Sequence, residues 1–249
     1  MTPELLMGGA LVFLLIFVVA IYFFTLRVRG GSIPILRRIQ AFERLKGLPG
    51  RAIEAGREVH LSLGLGSVVN ESTADSLAGL AVLNYLADQA AATGVSPVIS
   101  MADPSVMLFA QNVLRAAHAN DSERAEEAYR NVRWMAPQPA AYAAGVMSLL
   151  NMERVEANIM VGSFGDEYLL MGETAAQQGM AHIGGTSNPN TLPFIYASAQ
   201  ETLLGEEIYA AGAYLQKRPG HLGSLVAQDL MRWLIALLIL GGIILASVK

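Results

Sequence analysis

The sequence predicts an α/β fold, a mostly parallel doubly wound (Rossmann-like) sheet, together with two transmembrane helices. An uncharged apolar run near each end of the chain predicts the helices. Between those runs, strand-like segments alternate with helical ones, the order required by a parallel sheet covered on both faces. The 249 residues suffice for one packed domain plus membrane segments. The apolar excess, 53% with a mean hydropathy of +0.41, is concentrated at the ends. Because many helical segments are rich in Ala and Gly, an all-helical domain is the alternative.

Leu5 to Leu26 run without a charge, and as a helix they span roughly 33 Å, enough for a hydrocarbon core of about 30 Å. A cleaved signal peptide is the rival reading. The leading MTPE has no basic residue, and the bulky YFFTLRVR end lacks a small-x-small cleavage site, so the helix is expected to be retained. The second run, Leu230 to Val248, starts with Arg232 and Trp233, both suited to the headgroup level. Arg27, Arg29, Arg37, Arg38, Arg44, Lys46 and Arg51 follow the first run, whereas Glu4 precedes it. Basic flanks favour the cytoplasmic side. The expected organisation is a transmembrane helix at 5–26, a basic amphipathic linker at 27–56, a cytoplasmic α/β domain at 57–221, a juxtamembrane segment at 222–229 and a transmembrane helix at 230–248.

In the linker, ILRRIQAFERLKGL reads as a short helix near the headgroups, with Ile35, Ile39, Phe42 and Leu45 on one face. VHLSLG is the first strand, GLGSVVNES a turn, and TADSLAGLAVLNYLADQAAAT a helix. SPVISMA is the second strand, followed by a helix from Pro104 to Ala119 and an exposed helix in NDSERAEEAYRN. VRWM reads as a strand and PAAYAAGVMSLLN as a helix. RVEANIMVGSF is the clearest central strand, bounded by a Gly-Ser turn. DEYLLMGETAAQQG is then a helix and MAHIGG a short strand. TLPFIYA is expected to be extended, and a helix from Ser198 or Gln200 to run through ETLLGEEIYAAGAYLQ.

The strand ending at Gly66-Ser67 and the strand ending at Gly162-Ser163 echo each other, each followed by acidic residues and a helix. The echo is consistent with two related halves whose Gly-Ser turns share one edge of the sheet. Gly64 and Gly66 could let the backbone approach a ligand. The dinucleotide fingerprint is incomplete, because Val69 stands where its third glycine belongs, and Glu71 and Asp75 oppose a phosphate. The polar run HIGGTSNPN, with His182, Thr186 and Asn188, reads as an irregular loop able to build a site. Ligand-binding candidates are therefore Gly64, Gly66, Ser67, Glu71, Gly162, Ser163, Asp166, His182, Thr186 and Asn188. A tight structural turn is the competing reading at each loop.

His60, His118, His182 and His221 show no metal-ligand spacing, the chain has no cysteine, and no zinc site is expected. Ser67, Ser163 and His182 could form an acyl-transfer triad with Asp166 or Glu173, but GxSxG surrounds neither serine, so no catalytic residue is assigned. No cofactor is assigned either. Apolar spans without a central charge favour anchoring over transport. Nucleic-acid binding finds no basic domain surface. The expected partners are membrane lipid, further copies of the chain in a homo-oligomer, and a cytoplasmic protein.

GSVVNESTADSLAGL, HIGGTSNPN and GEEIYAAGAYL, with a span at either end, together resemble a family of uncharacterised bacterial membrane proteins. The resemblance covers most of the chain, implies a bacterial plasma-membrane location, and carries over no catalytic residue. A membrane-anchored assembly or scaffold protein with a self-associating domain is the function expected. A small-molecule-binding or enzymatic domain at the strand-end loops is the alternative.

Overall fold

The computed structural model describes residues 3–119 and 121–247, so Asn120 and Val248 of the segments above lie outside the described residues. By contacts the chain divides into two units, residues 38–215, and the terminal segments up to 37 and from 216.

The larger unit holds six strands, β1 (Glu58–Gly64), β2 (Val98–Met101), β3 (Val132–Trp134), β4 (Val155–Ser163), β5 (Ala181–Thr186) and β6 (Glu201–Leu204). All pair in parallel, in the order β3-β2-β1-β4-β5-β6. That is the strand order of doubly wound dinucleotide-binding folds. The helices are α2 (Gln40–Ala55), α3 (Thr73–Thr93), α4 (Pro104–Ala117), α5 (Ser122–Arg130), α6 (Pro139–Met152), α7 (Tyr168–Gln177), α8 (Leu192–Ser198) and α9 (Ala211–Leu215), preceded in the terminal unit by α1 (Pro3–Arg29).

Period-two alternation assigns the two faces of the sheet. Leu63 of β1 and Val161 of β4 meet α3 at Gly79. On the other face Ser62 Oγ reaches Tyr142 OH of α6 at 2.6 Å. There α6, α7 and α8 bury Tyr142, Val146, Leu150, Met160, Tyr168, Met171 and Ile195 in one apolar cluster. Pro at the start of α4, α6 and α8 suits a first helical turn, where no N–H is needed.

Three expectations change. TLPFIYA forms α8 rather than an extended segment. ETLLGEEIYAAGAYL does not form one helix: Glu201–Leu204 close the sheet as β6, Gly205–Ala210 make a 3-10 turn, and α9 follows. The strand expected in MAHIGG forms as β5 and runs on through Thr186, so the HIGGTSNPN loop begins only at Ser187. The physical reason is shared, since two glycines in β5 and an edge strand of four residues are specified by their neighbours more than by local propensity.

The linker helix also departs from its expected role. Phe42, Leu45 and Leu48 are fully buried in the larger unit, where α2 packs on β1, β4 and β6. Burying each such side chain is worth roughly 1.5–3 kcal/mol, against about 1 kcal/mol for a basic residue near anionic lipid. The sheet therefore takes this face. Ile35 lies outside α2 and is exposed. Phe42 stacks on Tyr214 of α9, ring centroids 5.0 Å apart, so the beginning and end of the larger unit emerge side by side.

The terminal unit pairs α1 with α10 (Pro219–Ser247), which continues through the expected juxtamembrane segment. Both are long and apolar enough to cross a membrane. Ala20 and Val28 of α1 are buried, as are Leu222, Ala227 and Met231 of α10. Their spacing marks one stripe on each helix. A Cβ on Gly223 would stand 2.7 Å from the backbone nitrogen of Thr25. The start of α10 thus meets the end of α1, and the pair is antiparallel. Gly223→Leu is expected to force the helices apart and lower the melting temperature of the detergent-solubilised chain by several degrees, whereas Gly241→Leu, with open space around it, leaves it unchanged. Equal melting of the two variants would refute this close contact.

Candidate functional site

Strand order reverses between β1 and β4. The chain winds from β1 outward to β2 and β3, and from β4 outward to β5 and β6. Loops leaving the C-terminal ends of β1 and β4 consequently diverge to opposite faces, the place where doubly wound sheets hold their ligands. Gly64 and Ser163 are register partners at this edge, with an irregularity just before them. Gly64 has φ +77°, and a Cβ there would lie 2.2 Å from Ser163 O. Leu65 N–H donates to the same carbonyl at 2.8 Å. A Cβ on Gly162 would lie 2.2 Å from Leu63 O. Both glycines thus let two backbones touch where the sheet ends.

Beyond Gly64 the turn is held from within. Gly66 leaves room for Ser76 Oγ and Ser163 Cβ. Ser67 is buried, its N–H donating to Ser72 Oγ at 2.9 Å and its carbonyl accepting from Ser76 Oγ at 3.1 Å. Its hydroxyl lies 3.3 Å from that of Ser105, at the start of α4. Glu71 and Asp166 are exposed on their loops. Thr186 is buried at the end of β5 and accepts from Asn188 N–H. Asn188 Nδ2 and Thr191 Oγ1 both donate to Phe164 O, at 2.9 and 2.8 Å. The β1, β4 and β5 loops are therefore tied into one surface.

Asp75 is the residue that ties them most firmly. It lies in the first turn of α3, nearly buried, and accepts from Ser187 Oγ at 2.8 Å and from Tyr209 OH at 2.6 Å. Burial and this carboxylate push the Tyr209 hydroxyl pKa up. Around it the strand-end loops carry Glu71, Asp103, Asp166, Glu167, Glu206 and Glu207, and no Lys, Arg or His. Against the pull of burial, hydrogen bonds from Ser105 and Ser67 hold Asp103 below the usual carboxylate range. The negative end of this edge makes α3 a poor phosphate cradle, since Asp75 already occupies the positive end of the helix dipole.

His182 does not join this surface. It pairs in register with Asn158, five residues before Ser163 along β4, which places it roughly 16 Å from the edge. A triad with Ser67 or Ser163 is excluded by that separation. His182 belongs instead to a buried polar row. Its Nδ1 donates to Asn158 O at 3.0 Å and its Nε2 accepts from Tyr168 OH at 3.0 Å. His60 Nδ1 lies 2.7 Å from Asn158 Oδ1 and therefore donates, leaving Nε2 to accept from Ser100 Oγ at 2.9 Å. Tyr142 OH completes the row, 3.1 Å from Ser100 Oγ. Asn158 Nδ2 is buried without a partner. Burial holds both histidines down to about 4 and Tyr142 up to about 12, so all three are neutral at pH 7.

The V-H-L-S-L alternation contained a signal for this row: in a sheet covered on both faces, His60 and Ser62 must find buried partners. Asp75 and Ser187 stand in segments the sequence singles out, but nothing local marked their junction with each other and with Tyr209, since the three are far apart in the chain and joined only by the fold.

Residues 6–249 match a family model described as "Domain of unknown function (DUF6754)". No curated protein and no solved structure matches the chain.

Proposed function

The chain belongs to the DUF6754 family, and for this member we propose a membrane-anchored domain that binds a small molecule in the crevice between the β1 and β4 loops. The observation that carries this reading is the convergence of the β1, β4 and β5 loops at the point where strand order reverses. The carboxylates of that edge favour a ligand rich in hydrogen-bond donors or positive charge over a nucleotide phosphate. Two apolar helices would hold the domain at a bacterial plasma membrane, and their basic flank favours the cytoplasmic side. Adjacent chain ends at Phe42 and Tyr214 suit two tethers entering one bilayer.

Self-association as a scaffold is the second reading. It is favoured by Val69, Leu77, Leu108 and Phe109, large apolar residues left exposed near the starts of α3 and α4. Native mass spectrometry of the full chain, released from mild detergent after extraction from its own membrane, tests both. A small-molecule adduct on the monomer mass, lost in Glu71→Lys/Asp166→Lys with unchanged melting, is expected. A chain without adduct would overturn the ligand reading, and a defined multimer without adduct would put scaffolding in its place.

A further inference from the structure

We infer that Ile33-Pro34-Ile35, flanked by Arg27, Arg29, Arg37 and Arg38, is an interfacial anchor that docks on anionic phospholipid where α1 leaves the membrane. The inference rests on α1 being a membrane span, part of the reading above. Helix α1 ends abruptly. Gly31 takes φ +95°, its N–H donates to Val28 O at 3.0 Å, and Ser32 N–H donates to Arg27 O at 3.3 Å. This double-bonded cap with a left-handed glycine turns the chain off the helix axis. Pro34 then keeps Ile33 out of helical geometry.

The residues that follow are apolar and uncovered. Ile33 is 71% exposed and Ile35 fully exposed, although the apolar face of α2 only a few residues later is buried in the larger unit. Ile33 stands four residues beyond Arg29, the last of the span, and Ile35 six, so even an extended chain keeps both within roughly 21 Å of the membrane boundary. No acidic residue occurs between Glu4 and Glu43, while four arginines bracket the pair. Apolar side chains that reach the acyl boundary, ringed by cations at headgroup level, are the pattern of a lipid-surface anchor. Continuity with the span and complementarity of charge commit the occupant to anionic phospholipid rather than a protein groove.

The chain contains no cysteine, so single labels are clean. The full chain carrying Ser32→Cys, labelled with an environment-sensitive fluorophore, is placed in nanodiscs of phosphatidylcholine with or without 30% phosphatidylglycerol, as a rough composition for an anionic surface. Quenching by brominated acyl chains is then read. Strong quenching with phosphatidylglycerol is expected, falling at least about twofold when Ile33→Ser/Ile35→Ser is added or the anionic lipid is left out. Quenching indifferent to both changes overturns the anchor. A label at Tyr22→Cys, inside the span, is quenched throughout if α1 crosses the bilayer. If that label is unquenched, the membrane reading itself fails, and the two failures are told apart.

Discussion

Acidifying the protein from pH 7 towards pH 4 is expected to unfold the α/β domain, through His60 and His182. Both are buried, both are neutral when folded, and burial lowers each from 6.5 to about 4. Between those values the unfolded chain binds protons that the folded chain refuses. The stabilisation is thus complete above pH 6.5 and is lost as pH falls towards 4. Each histidine is worth on the order of 3 kcal/mol, a sizeable part of the roughly 5–15 kcal/mol of a typical domain. Glu58, raised by burial and by Glu153, acts in the opposite sense, but it is one partly exposed group against two buried ones.

The charges around the row do not rescue a protonated imidazole. Glu153 favours the charged form of His60, while Arg133, which pairs with Glu153, and His182 itself disfavour it. The other groups facing the two rings, Ser100, Tyr142 and Tyr168, are neutral. Urea denaturation followed by tryptophan fluorescence at pH 7, 5.5 and 4.5 reads the effect. The midpoint should fall steeply, and His60→Gln/His182→Gln, although weaker at pH 7, should show a shallower fall. Parallel pH slopes in the two proteins would remove the histidines as the cause.

Gly162→Ala is expected to cost about 3 kcal/mol or more, among the largest effects of adding one methyl group to this protein. The new Cβ would sit 2.2 Å from Leu63 O, and the atom it meets is sheet backbone that cannot rotate away. Gly64→Ala meets Ser163 O at the same distance and adds the strain of φ +77°. Both changes open the β1–β4 pair at the edge proposed to hold a ligand, so binding there should be lost with the stability. Gly8→Ala, with nothing within 4 Å, is the control and should leave the urea midpoint unchanged. An unchanged midpoint in Gly162→Ala would mean that the strand ends are not in contact.

Much of this fold was legible in the chain. The apolar end runs announced α1 and α10, because length without charge is a property of consecutive residues. The helix over Thr73–Thr93 and the strand ending at Ser163 were bounded by local turn chemistry. The two Gly-Ser turns, read as echoes, stand on one edge of one sheet, where Gly64 pairs with Ser163. Elements failed to read where neighbours outweighed propensity. Glu201–Leu204 looked helical and became a strand because β5 offered it an open edge. Phe42 and Leu45 looked like a lipid-facing stripe, yet any amphipathic helix shows the same period whether bilayer or sheet takes its apolar side.

The candidate site divides along the same line. Gly64, Gly66, Ser67, Gly162, Ser163 and Asn188 were recognisable as strand-end residues because turns use a narrow set of residue types. His182 stood in the same motif as Thr186 and Asn188, but a strand separates its residues by about 3.3 Å each, which carries His182 away from the edge and into the core. By itself the sequence determined which segments are apolar enough to enter a membrane, most of the strands and helices before Thr191, and many of the turns between them, since these follow from neighbours along the chain. Only the tertiary structure decided that Asp75 meets Ser187 and Tyr209, that His60 and His182 flank Asn158, and that the linker's apolar face belongs to the sheet. Those contacts join residues far apart in the chain, and parallel strand order, which no local pattern encodes, is what brings them together.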